Sequence, residues 1–227
     1  MLRYLQIIDG RVPQSLMTPF DKSCVGVVEL YLKYLGRRVQ GGVVKKINLE
    51  LEECAKCEAP QASAPHDVVY ISWPFRFDLH RAAGPELEAR RLVLDALHSA
   101  LVWYARQSGW VEELFVKAYA ECLQCDIVYR DWLLPRSVKS RDRTHAVNVM
   151  CEYKEDHIDI VAVLFSKDGQ EIRRVPVYEH IIHYDQRRQM VDRIAWHAKR
   201  RVRIYPGSWL LSVYDVDFNT GVAEVAD

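Results

Sequence analysis

The cysteines are the residues whose spacing points most directly to chemistry. Cys54-Ala55-Lys56-Cys57 and Cys122-Leu123-Gln124-Cys125 are two C-x-x-C pairs. Together they have the ligand count of a structural zinc site, where four thiolates surround the ion as a tetrahedron. Against zinc, neither pair sits in a tight turn with glycine or proline beside it. Cys122 also falls on an apolar helical stripe, where cysteine behaves as a small buried hydrophobe. Redox use of a C-x-x-C pair is a third reading.

Carboxylates come next. Glu152-Tyr153-Lys154 closes an apolar strand, and Asp142 lies upstream. A strand ending E-x-K after an Asp resembles the metal-binding arrangement of the PD-(D/E)XK nucleases. That resemblance implies that Asp142 and Glu152 hold Mg²⁺ and that Lys154 assists the attacking water. The competing reading is a solvated hairpin tip, because Lys154-Glu155-Asp156-His157 is a run of charge before a turn. His180 and His183 are three apart but form no ligand set beyond Glu179. No G-x-S-x-G, P-loop or G-x-G-x-x-G sequence occurs.

A third feature is a basic run. Arg187, Arg188, Arg193, Lys199, Arg200, Arg201 and Arg203 face only Asp192 within their own window, with Trp196, His197 and Tyr205 among them. Cations interleaved with aromatics can track a nucleic-acid backbone and stack bases. They can also meet an acidic protein partner, or form a solvated face with snorkelling stems. For a protein interface the expected aromatic anchors are Trp73, Phe75, Trp132 and Trp196. Arg187, Arg188 or the acidic run Glu50, Glu52, Glu53 and Glu58 would supply a rim.

These residues need elements to hold them. The clearest lie between about 85 and 125. After Gly84-Pro85, Leu87, Leu94, Leu97, Leu101 and Tyr104 recur at helical steps, and Ser108-Gly109 ends the run. Leu114, Phe115, Ala118, Tyr119 and Cys122 then line a second helix, so a helical hairpin is expected. Val25–Val39 alternates and is rich in β-branched and aromatic residues. It reads as a strand, with Gln40-Gly41-Gly42 as a hairpin turn and Val43–Glu53 as its return. Asp67–Leu79 reads as a third strand, with Pro74 marking an edge or bulge. After the hairpin come Asp126–Leu134, His145–Lys154, Ile158–Ser166 and Glu171–Tyr178 as strands, with Lys167-Asp168-Gly169-Gln170 as a tight turn. Tyr184–Ala198 reads as a short helix carrying Met190, Val191, Ile194 and Ala195 inward, and short strands finish the chain. The expected fold is α+β: mainly antiparallel sheet, the helical hairpin packed on one side, and a short C-terminal helix. The chain reads as one domain, and any subdivision falls in the loop 135–143.

Composition excludes several classes. The 227 residues are 49% hydrophobic, and 31 Lys plus Arg balance 31 Asp plus Glu. A whole surface devoted to nucleic acid is not expected, although a local patch is compatible. No apolar run has the length to cross a bilayer, so no membrane role is expected. The N-terminal residues show no signal pattern, which sets the expected location as cytoplasmic. Six cysteines are too sparse for a disulfide scaffold.

The block from Ser140 to Tyr153, and Phe165 to Glu171 with its flanking strands, resembles the C-terminal half of small bacterial proteins from toxin–immunity loci. Leu94-Asp95-Ala96-Leu97-His98 followed by Ser108-Gly109-Trp110 shares that resemblance. It implies an α+β, cytoplasmic, non-enzymatic protein that binds and blocks a cognate toxin. No cofactor is expected apart from the structural zinc that the cysteine pairs could hold. The resemblance carries over no binding residues, because such families vary most at the toxin-facing surface. The expectation is therefore a protein-binding protein. The alternatives are a metal-dependent nuclease on Asp142, Glu152 and Lys154, and a zinc-stabilised adaptor on Cys54, Cys57, Cys122 and Cys125.

Overall fold

The computed structural model describes residues 2–12, 18–36, 39, 43–83, 86–181, 190–207 and 212–226. The chain divides into two compact units, Met1–Tyr129 and Arg130–Asp227. Among the described residues no helix is long and apolar enough to cross a membrane.

The first unit holds β1 (Tyr4–Asp9), α1 (Pro19–Leu35), β2 (Lys46–Glu53), β3 (Gln61–Ser63), β4 (Val68–Phe75), α2 (Phe77–Ala82), α3 (Glu86–Ser108) and α4 (Glu112–Gln124). Its sheet runs β1-β2-β4-β3. β1 and β4 both lie parallel to β2, and only β3 is antiparallel. Here the structure corrects the reading of Val25–Val39 as a strand returning at Val43. From Val25 to Leu35 the segment belongs to α1, which lies within the long crossover that parallel strands require. The expected hairpin turn Gln40-Gly41-Gly42 lies outside the described residues.

The start of α1 has a physical signature. Thr18 and Asp21 form a reciprocal capping box, and Pro19 takes the first helical position. Asp21 does more than cap. Its Oδ2 accepts from Thr18 N and Oγ1, and its Oδ1 accepts from Asp9 N at 2.7 Å, tying the helix start to the end of β1. Cys24, Val27, Leu30, Tyr31 and Leu35 are each about 1% exposed or less. α1 packs against β1, α3 and α4. Lys22, Glu29 and Lys33 form a polar stripe, and the buried Cys24, Val27, Tyr31 and Leu35 recur at helical steps; it is the β-branched and aromatic content of the segment that reads as strand.

The helical hairpin is as expected. Leu94, Leu97, Ala100 and Leu101 of α3 and Phe115, Ala118 and Cys122 of α4 are buried. Tyr31 of α1 donates its hydroxyl to the carbonyl of Phe115 at 3.1 Å. Pro74 pairs with Glu52 of β2, past the last rung of β3, which stops opposite Ser72. Gly84 and Pro85 lie outside the described residues.

The second unit is all strand among its described residues: β5 (Arg130–Trp132), β6 (Val138–Lys139), β7 (His145–Tyr153), β8 (His157–Ser166), β9 (Glu171–Ile181), β10 (Val191–Ala198), β11 (Arg201–Pro206), β12 (Tyr214–Asp217) and β13 (Val222–Val225). One sheet runs β5-β7-β8-β9, with β6 also on β7, and the other runs β10-β11-β12-β13. Every pairing is antiparallel. Val147, Val149, Cys151, Ile158, Ile160, Ala162, Leu164 and Val175 are buried and form the core of the first sheet.

The expected C-terminal helix is a second correction. From Val191 to Ala198 the chain is β10, and Tyr184–Gln189 lie outside the described residues. Register shifts fall between Val191 and Arg193 and between Trp196 and Ala198. A bulge breaks the two-residue alternation, and the broken pattern placed Met190, Val191 and Ile194 at helical spacing. The α+β class stands, with all described helices in the first unit.

Candidate partner-binding site

The site is built on an interrupted edge strand. β5 pairs with β7 from Arg130–Glu152 to Trp132–Met150, and β6 pairs with the same edge at Val138–Val147 and Lys139–Ala146. Between them the chain leaves the ladder from Leu133 to Ser137. Pro135, which cannot donate to a ladder, sits in this excursion. Leu133 N still donates to Val149 O at 2.9 Å, and the buried Asn148 donates its amide to Leu134 O at 3.3 Å. The excursion is therefore held at its start and opens a groove of about 660 Å³. Trp132, Ala146 and Phe165 give the groove its apolar surface, while Arg136, Lys139 and Lys167 supply charge.

Trp132 is the main exposed feature of this groove. It remains 44% exposed and meets Phe165 edge-on at 5.7 Å. Among the described residues Arg136, Lys139 and Lys167 make no ion pair. Asp131 is the one carboxylate in the lining. The groove thus presents a preformed aromatic surface beside three cations.

The other expected anchors are dispersed. Trp73 is half-buried, edge-on to Trp103 at 6.1 Å. Phe75 is a correction. It is 6% exposed and packs with Phe20 and Phe77 in the core, so it is not a surface anchor. Trp196 is half-buried, with Nε1 donating to Val138 O at 3.1 Å. Arg187, Arg188 and His183 lie outside the described residues. The basic run is also less bare than its sequence window. Arg201 and Arg203 pair with Asp217 and Asp215 of β12, and Arg193 lies over the Tyr205 ring at 4.1 Å.

The structure does not bring the expected nuclease residues together. Asp142 precedes β7 and Glu152 sits near its far end. At about 3.3 Å per strand residue the two are roughly 20 Å apart, too far to share an ion. Asp142 accepts from Ser140 Oγ at 2.7 Å and Thr144 N at 3.1 Å, which holds its carboxyl at about 2. Glu152 bonds Arg130 Nε and Lys154 Nζ, both at 2.6 Å. Burial opposes ionisation of Glu152, but these two cations prevail and hold it below its ordinary range.

The cysteines do not converge either. No three of the four C-x-x-C thiols lie within 4.8 Å of one another. Cys54 is exposed, Cys57 is buried and donates to Ala59 O at 3.3 Å, and Cys122 is buried in α4. Cys125 meets Tyr34 Oη at 2.8 Å. Among the described residues the group with metal-ligand proximity is instead His157, Asp159 and Glu179, at the β7–β8 hairpin and the neighbouring part of β9. Lys154 Nζ lies 3.6 Å from Asp159 there, so an ammonium already supplies positive charge.

Sequence reasoning named Trp132 but missed Phe165 and the three cations. Their grouping depends on which ladder rungs the excursion skips. No family model, curated protein or solved structure matches this chain.

Proposed function

We propose that this chain is a non-enzymatic, protein-binding protein of immunity type, which neutralises a cognate toxin by docking an acidic face of it into the Trp132 groove. The observation that carries this reading is the pairing of a 44% exposed Trp132 with the unpaired cations Arg136, Lys139 and Lys167 around one groove. Interface energy concentrates in a few aromatic and cationic side chains seated in pockets. Trp132 already has its ring against Phe165, so little side-chain freedom remains to be lost on binding. The three cations would steer an acidic partner and select against a basic one. The resemblance to toxin–immunity proteins supplies the toxin, and the groove supplies the acidic character.

The test is co-expression with the toxic product encoded beside its gene. The wild-type chain is expected to restore growth and to co-purify with that product. Trp132→Ala and the double variant Lys139→Glu/Lys167→Glu are expected to lose both properties while keeping the wild-type circular dichroism. Protection that survives both variants would place the interface elsewhere, and a neighbouring product that is neither bound nor neutralised would overturn the reading.

A further inference from the structure

A second cavity lies between the turn joining β6 to β7 and the turn joining β10 to β11. Its volume is about 590 Å³, within the range of small-molecule sites. Arg141 and His145 line one side, and Trp196, His197, Lys199 and Arg200 line the other. We infer that this cleft binds a nucleoside phosphate, with cations from both turns on the phosphate and the Trp196 indole under the base. The inference goes beyond the docking of a protein partner and uses different residues.

The cleft carries unpaired positive charge. Arg141, Lys199 and Arg200 form no ion pair among the described residues, whereas their neighbours Arg201 and Arg203 each hold an aspartate. Asp142 is the one carboxylate in the lining, and Ser140 and Thr144 of its own turn engage it. The cleft also holds an orphan donor. Arg200 Nε is buried and has no hydrogen-bond partner among the described residues. A buried charged donor without an acceptor is costly and calls for one. A guanidinium fork matches the oxygens of phosphate better than any other side chain does.

Backbone conformation points the same way. Arg143 and Arg200, one in each turn, both have φ of 57°. Glycine or asparagine would sit there with less strain. Tight hairpin turns require such left-handed positions, and at the β10–β11 turn this places Arg200 in the cavity lining. Trp196 supplies the aromatic surface. Its Nε1 is fixed to Val138 O, and no aromatic ring among the described residues stacks on it. A held indole beside cations is the arrangement that stacks a base next to its phosphate.

The experiment is titration calorimetry of the full chain with adenosine monophosphate, inorganic phosphate and a single-stranded oligonucleotide. Adenosine monophosphate is expected to bind, to weaken with added salt, and to exceed inorganic phosphate by about tenfold or more, the contribution of one stacked base. Trp196→Leu should bring it down to the level of phosphate. Arg200→Gly keeps the turn, because glycine takes positive φ freely, and should weaken binding by about tenfold or more. An oligonucleotide that binds well above the mononucleotide identifies the source as a nucleic-acid strand. A mononucleotide that binds as well or better identifies a free nucleotide. Both outcomes support the site. No binding of adenosine monophosphate, equal affinity for phosphate, or undiminished affinity in Arg200→Gly would each overturn it.

Discussion

Asp21→Ala should unfold the first unit far more easily than its position at a helix start implies. The side chain is 5% exposed, and its carboxylate accepts from Asp9 N, Thr18 N and Thr18 Oγ1. Loss of the capping carboxylate costs about 1 kcal/mol on the usual scale of helix caps. The variant also strands the amide of Asp9, a residue only 2% exposed. A buried unsatisfied donor adds about 1–3 kcal/mol. Thr18 is half-buried, so water can reach its amide and that term is small. The total is about 2–4 kcal/mol, which should lower the urea midpoint by about 1–3 M. All described helices belong to the first unit, so the helical circular dichroism signal follows that unit alone. Asp21→Asn keeps one acceptor oxygen and should lose roughly half as much. The reasoning fails if alanine and asparagine unfold at the same midpoint, or if alanine matches the wild type. Either result would mean that the end of β1 is held by packing and not by this carboxylate.

Two further predictions concern the second unit. His157 should titrate above its ordinary 6.5, chiefly because Nδ1 bonds Asp156 at 2.6 Å, with Asp159 and Glu179 adding to the effect; Lys154 is the opposing charge in the cluster. A raised folded-state value means that the stability this contributes is present below about pH 6.5 and is lost as pH rises through the folded value. NMR titration should show the value falling in Asp156→Asn, and no change in that variant would refute the assignment. Gly221→Ala should loosen the β12–β13 hairpin. Gly221 has φ of 85°, and an added Cβ would collide with the Arg173 guanidinium, which donates to the carbonyls of Phe218, Asn219 and Thr220. The expected cost is about 1–3 kcal/mol, read as faster hydrogen exchange at the β12 and β13 amides, and unchanged exchange would refute it.

The legible parts of this chain were those whose signals are local. α3 and α4 carry one apolar stripe each and clear stops, so the hairpin could be read directly. α1 also has helical steps at Cys24, Val27, Tyr31 and Leu35, but Val25, Val27, Val28, Tyr31 and Tyr34 give it the β-branched and aromatic content of a strand, and composition outweighs period. The Thr18-Pro19-Phe20-Asp21 cap and the Lys22, Glu29, Lys33 stripe are its helical signals. β10 reads as helix in the sequence because two register shifts break its alternation. The same division runs through the charges. Arg201 faces Asp217 and Arg203 faces Asp215 because those are rungs of the β11–β12 ladder. Register between strands distant in sequence sets such pairs, so no window of sequence can contain them. Lys199 and Arg200 lie past the last rung, and the residue opposite Arg200 is Phe218, whose N donates to Arg200 O at 2.9 Å, not a carboxylate. Arg136, Arg141 and Lys167 likewise lie in turns or in the excursion from β7, and Lys139 ends a two-residue strand. Arg130, Arg201 and Arg203 are neutralised across their ladders, whereas among the described residues Arg136, Arg141, Lys167, Lys199 and Arg200 in the connections make no ion pair, Lys154 of the β7–β8 turn being the exception. Both cavities open at those connections, so the connections are where a ligand or partner would meet unpaired charge.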